Sequence, residues 1–208
     1  MKSGPEAPPG VIAFAADWIA IDKPAGLLSV PGRGPDKADC AWRRLQQRFP
    51  EVRPVHRLDL ETSGLLLFAR NAEALRALSR VFERREVRKR YVAIVHGAPR
   101  SDTGEIDLPI IVDWPRRPLQ KLDLDRGKPS LTRWRVIERH EATARLALEP
   151  VTGRSHQLRV HLRALGHPIV GDLLYGKPDG AARLMLHAEA LACGHAGEAV
   201  ELFAPAPF

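Results

Sequence analysis

The sequence shows many strand-like segments and few helices, a pattern that agrees with a mixed α/β (α+β) fold. Apolar residues make up 44% of its 208 residues, an ordinary share for a globular chain. Neither an internal repeat nor a linker that would separate independent domains is visible in the sequence. We therefore expect a flexible tail over residues 1–10 and one domain, simple or bilobed, over residues 11–208.

Strand-like segments occur along most of the chain. They are apolar or alternate between apolar and polar residues, and they cover 11–22 (a strand pair turning at Ala16-Asp17), 65–69, 91–97, 131–139 and 143–150. We expect the strand at 65–69 to be entered through a Thr62-Ser63-Gly64 turn, because Gly tolerates positive φ. Residues 98–130, rich in Pro, Asp and Arg, are predicted to be irregular and functional.

Three segments have the apolar spacing of helices. The first begins at or near Asp39 and ends by Phe49, the second begins at a predicted N-cap, Asn71, and the third begins at Ser155 and stops at Gly166. Their apolar stripes are Trp42, Leu45 and Phe49; Ala74, Leu75, Leu78, Val81 and Phe82; and Leu158, Leu162 and Leu165.

The charge balance favours a polyanionic partner. Lys and Arg number 32 against 25 Asp and Glu, a net charge of +7, which suits nucleic acid or an anionic membrane surface. No apolar run approaches the roughly 18 residues that span a membrane, so we expect no membrane partner. The two cysteines, Cys40 and Cys193, form no paired motif, as expected for free thiols in a reducing cytoplasm.

Two cationic regions leave their role open. Residues 84–90, RREVRKR, carry five cationic side chains, which either form a solvated face or contact an RNA backbone. The irregular region adds cations that could reach phosphates: Arg116, Arg117, Lys121 and Lys128.

The stretch RPVHRLDLETSGLLLFAR, residues 53–70, carries the first candidate site. Asp59 stands just before the predicted turn, beside Arg57 and His56. By spacing alone, Asp59 is either a turn former with an Arg partner or a reactive carboxylate held on a rigid scaffold. A second polar cluster is VTGRSHQLRVHLRALGHPIVGDLLYG, from residue 151. Two of its histidines, His156 and His161, lie about 140° apart on a helix, so we expect no metal site.

The string HRLDLETSG resembles the motif H-R-L-D-x-x-T-S-G of the RluA-type pseudouridine synthases and matches it throughout. The second cluster is similar to that family's T-G-R-T-H-Q-I-R-V-H and G-H-P-I-x-G-D-x-x-Y-G signatures, with Ser155 in place of Thr and Leu158 in place of Ile. Three further segments match in order: DKPAGLLSVPG (22–32), KRYVAIVHG (89–97) and RLMLHAEAL (183–191).

The resemblance implies a fold and a set of site residues. The fold is the pseudouridine synthase catalytic fold, a bent, mostly antiparallel sheet with flanking helices and a central RNA-binding cleft. Asp59 is implied as the catalytic residue, and Arg57 as the side chain that replaces the flipped uridine in the RNA. Tyr91 would stack on the target base, Arg154 would pair with the catalytic carboxylate, and Leu186 would form a wall of the pocket.

The implied reaction converts uridine to pseudouridine in structured RNA without a cofactor or a metal. The substrates expected from the resemblance are tRNA, at the anticodon loop, and a hairpin loop of large-subunit rRNA. Many relatives carry an N-terminal S4 RNA-binding domain, for which this chain has no room before residue 11, so we expect the catalytic domain to select the RNA. We also expect a monomer.

Two other function classes stay open from the residues alone. A non-catalytic RNA-binding protein fits the charge equally well, but it leaves the set Asp59, Tyr91 and Arg154 unexplained. A hydrolase such as a nucleosidase would usually need two carboxylates, and Glu61 is the only neighbour of Asp59 in sequence.

Overall fold

Twelve strands and three α-helices lie within residues 10–208, the part of the chain that the computed structural model describes. In chain order they are β1 Val11–Phe14, β2 Trp18–Lys23, α1 Ala41–Gln46, β3 Arg53–Pro54, β4 Ser63–Ala69, α2 Ala72–Glu83, β5 Arg88–His96, β6 Thr103–Asp107, β7 Ile110–Val112, β8 Gln120–Leu122, β9 Leu131–Arg139, β10 Thr143–Pro150, α3 Gln157–Ala164, β11 Leu186–His195 and β12 Glu198–Phe203. The predicted mixed α/β class with mostly antiparallel pairing is confirmed. Residues 1–9 of the predicted tail lie outside the described residues.

The chain divides into two compact units. The first holds the residues up to Val87 together with Ala188–Ala206, and the second holds Arg88–His187 with Pro207–Phe208. Within the described residues, no helix is long and apolar enough to cross a membrane.

In the first unit the strand order is β1-β2-β4-β11, with β3 along β4 and β12 along β11. All seven residues of β4 are buried, which explains why this strand is a continuous apolar run instead of an alternating one. Helix α2 covers the core with Ala74 and Leu78. The predicted N-cap of this helix is confirmed, because Asn71 Oδ1 accepts a hydrogen bond from Ala74 N at 2.8 Å.

In the second unit the strand order is β5-β10-β9-β6, and β7 and β8 form a separate antiparallel pair. Strands β9 and β10 match the predicted ranges 131–139 and 143–150. Residues 98–130 are less irregular than predicted, since β6, β7 and β8 lie there. Their short lengths of three to five residues explain why period-two alternation did not reveal them.

The predicted turn at Thr62-Ser63-Gly64 is wrong in position. Strand β4 already begins at Ser63, and the turn lies earlier, where Thr62 N donates to Asp59 O at 3.2 Å. Gly64 has a φ of +112°, and a Cβ there would lie 2.3 Å from the Ala188 carbonyl oxygen. The glycine is therefore needed for the close approach of β11 and not for a turn.

Two predicted helix boundaries also differ from the structure. The N-cap of α3 is His156, in the left-handed region with φ 54°, and not Ser155. Helix α1 begins after Cys40, as predicted for a start at or near Asp39, and Cys40 Sγ accepts from Arg43 N at 3.4 Å. The helix ends at Gln46, before the predicted end at Phe49. Both shifts are small, because helix termini depend on local hydrogen bonds that spacing alone does not specify.

Candidate active site

Two of the predicted site residues, Arg57 and Asp59, alternate with the residues that anchor their loop. In the loop of residues 56–60, His56, Leu58 and Leu60 are hydrogen-bonded to other parts of the first unit. At its centre Ser29 Oγ donates to Leu58 O at 2.7 Å and accepts from Leu58 N at 2.9 Å. One buried hydroxyl thus fixes both backbone groups of the residue between Arg57 and Asp59.

The end of the loop is held by a fully buried lysine, Lys23, the last residue of β2. Its Nζ donates to three carbonyl oxygens, those of Pro24 at 2.8 Å, Leu27 at 2.7 Å and Leu60 at 3.1 Å. Leu60 O also accepts from Gly26 N at 3.0 Å. An ammonium carries three donors, so these carbonyls offset the cost of burying its charge.

The start of the loop is held by His56. Its Nε2 accepts from Leu67 N, in β4, at 3.1 Å. The imidazole also stacks on the Phe82 ring, with centroids 4.7 Å apart and planes inclined by 19°. The hydrogen bond attaches the loop to β4, and the ring stacking attaches it to α2.

The anchors place the backbone of Arg57 and Asp59 on a rigid support. Arg57 is exposed and Asp59 is half-buried, so a nucleotide can approach both side chains. Asp59 is also the first residue of the turn that Thr62 N closes. The prediction that Asp59 forms a turn is therefore confirmed for its backbone carbonyl. The role of its side-chain carboxylate stays a prediction.

Tyr91 and Leu186 belong to one apolar cluster of the second unit. Leu186 is 3% exposed, and half-buried Tyr91 packs against the same cluster, opposite Leu148 in the register of β5 and β10. Leu186 is therefore in the interior of the cluster, and the Tyr91 ring lies at its border. A partly exposed aromatic ring suits stacking against a nucleobase.

Arg154 lies on the loop between β10 and α3, in the second unit. Its Nε donates to Pro129 O at 3.3 Å, and its backbone N donates to Gln157 Oε1 at 3.0 Å. The guanidinium has five N–H donors, so the bond to Pro129 orients it while other donors stay available for an anion.

Gln157 organises this loop through all of its amide hydrogen bonds. Its Oε1 accepts from Thr152 Oγ1 at 2.6 Å as well as from Arg154 N. Its Nε2 donates to Leu131 O and to Thr132 Oγ1, each at 3.0 Å. A buried amide with every position used fixes one conformation of the loop that carries Arg154.

The same network determines the state of His161, which is fully buried. Its Nε2 is 2.9 Å from Leu108 O, which can only accept, so Nε2 carries the proton. Its Nδ1 then accepts from the Thr132 hydroxyl at 2.9 Å. Burial lowers the pKa of His161 from its ordinary value of 6.5, in agreement with a neutral ring.

His156 and Arg159 belong to a second network around Tyr175. Arg159 forms a bidentate ion pair with Asp172, Nε to Oδ2 at 2.8 Å and a terminal nitrogen to Oδ1 at 2.6 Å. The Tyr175 ring lies beneath the Arg159 guanidinium, 5.2 Å away, and its hydroxyl is 2.7 Å from His156 Nδ1. Much of the second sequence cluster thus consists of residues that hold one another in place.

His156 and His161 of that cluster serve these networks. In residues 10–208, no three His, Cys, Asp or Glu side chains gather in an arrangement that could hold a metal ion.

The five predicted residues therefore fall into two groups. Arg57 and Asp59 stand in the first unit, and Tyr91, Arg154 and Leu186 stand in the second. Their roles toward RNA remain predictions.

Sequence reasoning gave no role to Lys23 and Ser29, although the segment DKPAGLLSVPG that contains them was part of the resemblance. A lysine at the end of an apolar strand was the one available signal. Its three carbonyl partners become apparent only in the folded chain.

Comparison with known proteins agrees with these observations. The family model "RNA pseudouridylate synthase" matches residues 17–164. The "Dual-specificity RNA pseudouridine synthase RluA" of Vibrio vulnificus (strain CMCP6) is 51% identical over 193 residues, 88% of this chain and 77% of that protein. The protein of the same name from Escherichia coli (strain K12) is 47% identical over 211 residues, 98% of this chain and 96% of that protein.

A solved structure agrees as well. "Human RNA Pseudouridylate Synthase Domain Containing 1" superposes with a TM-score of 0.85 at 33% identity, over 100% of this chain and 87% of that one. These similarities do not support the alternative of a non-catalytic RNA-binding protein. The chain belongs to the RNA pseudouridylate synthase family, and it is an isomerase that acts on RNA.

Proposed function

We propose that this chain isomerises specific uridines in two classes of structured RNA, the anticodon loop of tRNA and a hairpin loop of large-subunit rRNA. The observation that carries the proposal is the dual specificity named for relatives 47% to 51% identical to this chain. The net charge of +7 supports a polyanionic substrate.

The reaction breaks the C1′–N1 bond, rotates the uracil and joins C5 to C1′, while C5 loses a proton and N1 gains one. It is redox-neutral and adds no water, so we propose that the chain works without a cofactor or metal. Asp59, as a carboxylate, either attacks C1′ or removes the proton at C2′. Its loop gives either step a fixed starting geometry, because Leu58 and Leu60 are anchored on both sides of it.

The remaining roles follow from the chemistry of each side chain. Extruding a base costs a few kcal/mol, which Arg57 offsets by filling the gap in the RNA and Tyr91 offsets by stacking on the uracil. Leu186 excludes water from one side of the base. Arg154 supplies the positive charge that the Asp59 carboxylate needs in a dry pocket.

We further propose that the chain acts as a monomer in the cytoplasm. Both cysteines, Cys40 and Cys193, are free and buried, and burial raises the pKa of each thiol. Neither thiol is therefore a ready nucleophile, which supports a cysteine-independent reaction. Free cysteines also suit the reducing cytoplasm.

The test uses release of tritium from RNA labelled at C5 of uridine, since C5 loses its proton when it bonds to C1′. Three RNAs are compared: a tRNA anticodon stem-loop, a large-subunit rRNA hairpin, and a stem-loop of scrambled loop sequence. We expect release from the first two only. Release from one class alone would disprove dual specificity, and free uracil in place of pseudouridine would indicate a hydrolase.

A further inference from the structure

A cationic cavity lies beside Arg154 in the second unit. Its volume is about 350 Å³, enough for one nucleotide. Its lining comes from the β7–β8 pair, the segment after β8 and the Arg154 loop: Ile110, Ile111, Val112, Gln120, Arg126, Lys128, Gly153, Arg154 and Ser155. Three of these described lining residues are cationic and none is acidic. Three like charges around one cavity repel each other, so an anion placed there would be stabilised.

The loop that carries Arg126 is held by Asp123. Asp123 Oδ1 accepts from Arg126 N at 2.9 Å and from Asp125 N at 3.2 Å. These backbone donors, Arg126 N–H first, hold the pKa of the Asp123 carboxyl below its usual range. The Arg126 guanidinium lies 3.7 Å from Asp123 and remains 78% exposed, so most of its surface is open to a ligand.

The next residues fix Lys128 against β7. Gly127 admits no side chain, because a Cβ there would lie 2.3 Å from Asp123 O and 2.8 Å from the Pro109 carbonyl carbon. Lys128 N donates to Ile110 O at 2.9 Å, and Ile110 N donates to Lys128 O at 3.0 Å. Arg126 and Lys128 are therefore presented by a backbone with little freedom.

The opposite side of the cavity is equally constrained. Arg154 is oriented by Pro129 O, and its backbone is held by the fully bonded Gln157 amide. A site whose backbone is fixed before binding loses less conformational entropy when the anion arrives. Arginine also matches two oxygens of one phosphate with its planar fork.

We propose that this cavity binds one backbone phosphate of the substrate RNA, together with the ribose attached to it. Arg126 and Lys128 bind the phosphate oxygens, and the half-buried side chains of Ile111 and Val112 border the sugar. The inference rests on the proposed function, which places Arg154 at the target uridine, so this nucleotide would be a neighbour of that uridine.

The test removes both charges with the double variant Arg126→Gln/Lys128→Gln. The matched control, Arg100→Gln/Lys177→Gln, removes two exposed cations of the same unit that do not line the cavity. We expect the cavity variant to weaken binding of the anticodon stem-loop by about tenfold or more, the usual effect of losing charge-assisted hydrogen bonds.

Stem-loops that each carry one neutral methylphosphonate then locate the phosphate. At one position near the target uridine, the modification should weaken binding by the wild type and the control, yet have no further effect on the cavity variant. The proposal would be overturned if the methylphosphonate and the cavity variant weakened RNA binding additively at every position. It would also be overturned if RNA binding by the control variant were insensitive to the modification at that position. Uridine monophosphate serves as a competitor of the RNA. The proposal would also be overturned if the cavity variant bound uridine monophosphate differently from the wild type but bound RNA equally well.

Affinity and turnover separate this inference from the proposed function. If the wild type forms pseudouridine in the stem-loop while the methylphosphonate and the cavity variant weaken binding additively at every position, the proposed function is supported and the cavity site is refuted. If instead one phosphate position gives non-additive binding losses but the wild type forms no pseudouridine, the cavity site is supported and the proposed substrate is refuted. Absence of measurable RNA binding by the wild type would refute both.

Discussion

Breaking the buried ion pair between Arg159 and Asp172 should destabilise the fold far more than breaking an exposed ion pair would. The two side chains are 3% and 1% exposed. Replacing Asp172 by Asn leaves a buried guanidinium without its counter-charge. Breaking a buried pair in this way costs about 3–5 kcal/mol, a large share of the roughly 5–15 kcal/mol that stabilises a typical domain.

The hydrogen bonds around Asp172 show why Asn is the informative replacement. Oδ1 accepts from Arg159 and from the backbone N atoms of Leu174 and Tyr175, while Oδ2 accepts from Arg159 Nε. An amide oxygen in the Oδ1 position keeps those three bonds. The amide NH₂ then faces Arg159 Nε–H, so one bond and the negative charge are lost while the volume stays the same.

An exposed ion pair of the same unit provides the control. Arg133 Nε is 2.7 Å from Glu105 Oε1, but the side chains are 57% and 55% exposed. Water and salt screen such a pair, so Glu105→Gln should change the free energy of unfolding by about 0–1 kcal/mol. Equilibrium urea unfolding measures both variants. An Asp172→Asn variant within about 1 kcal/mol of the wild type would refute the argument from burial.

Four further predictions concern catalysis, RNA binding and pH. Asp59→Asn should lower single-turnover pseudouridine formation by roughly a hundredfold or more without changing urea unfolding; activity near wild type would rule out the catalytic assignment. Arg57→Ala should fail on a folded stem-loop but recover on short unstructured RNA, whereas Arg154→Ala should fail on both; equal defects of Arg57→Ala would exclude base replacement. Alanine at residues 88–90 should reduce the slope of log affinity against log salt by about 0.7 per lost phosphate contact, and an unchanged slope would mean a solvated face. Because unfolding lets His161 bind a proton that the folded state excludes, the free energy of unfolding should fall as pH drops below 6.5; His161→Gln should show less of this pH dependence, measured by urea unfolding at each pH.

Local patterns predicted a large part of the fold. Strands β9 and β10 were assigned to the residue, because alternation along a half-buried strand is a local property. The Asn71 cap was assigned for the same reason. The turn before β4 was misplaced, since Gly64 is required by Ala188, which lies far away in sequence.

The candidate site was predictable where its motif is contiguous, and less so where it depends on distant partners. Asp59 and Arg57 follow from one string of residues. The anchors of their loop, Ser29 and Lys23, come from another segment, and no spacing rule connects a hydroxyl at 29 with a backbone at 58. Long-range polar contacts of this kind depend on the tertiary fold and leave no period in the sequence.

The alternation of anchors and functional side chains along residues 56–60 has a practical consequence. Since the backbone on both sides of Asp59 is held by Ser29 and Lys23, a change of the Asp59 side chain leaves those attachments in place. The Asp59→Asn protein should therefore still accept its RNA while being unable to complete the isomerisation. Crosslinked to cellular RNA and purified, such a protein would act as a substrate trap, and sequencing the captured fragments would identify the uridines that this enzyme selects.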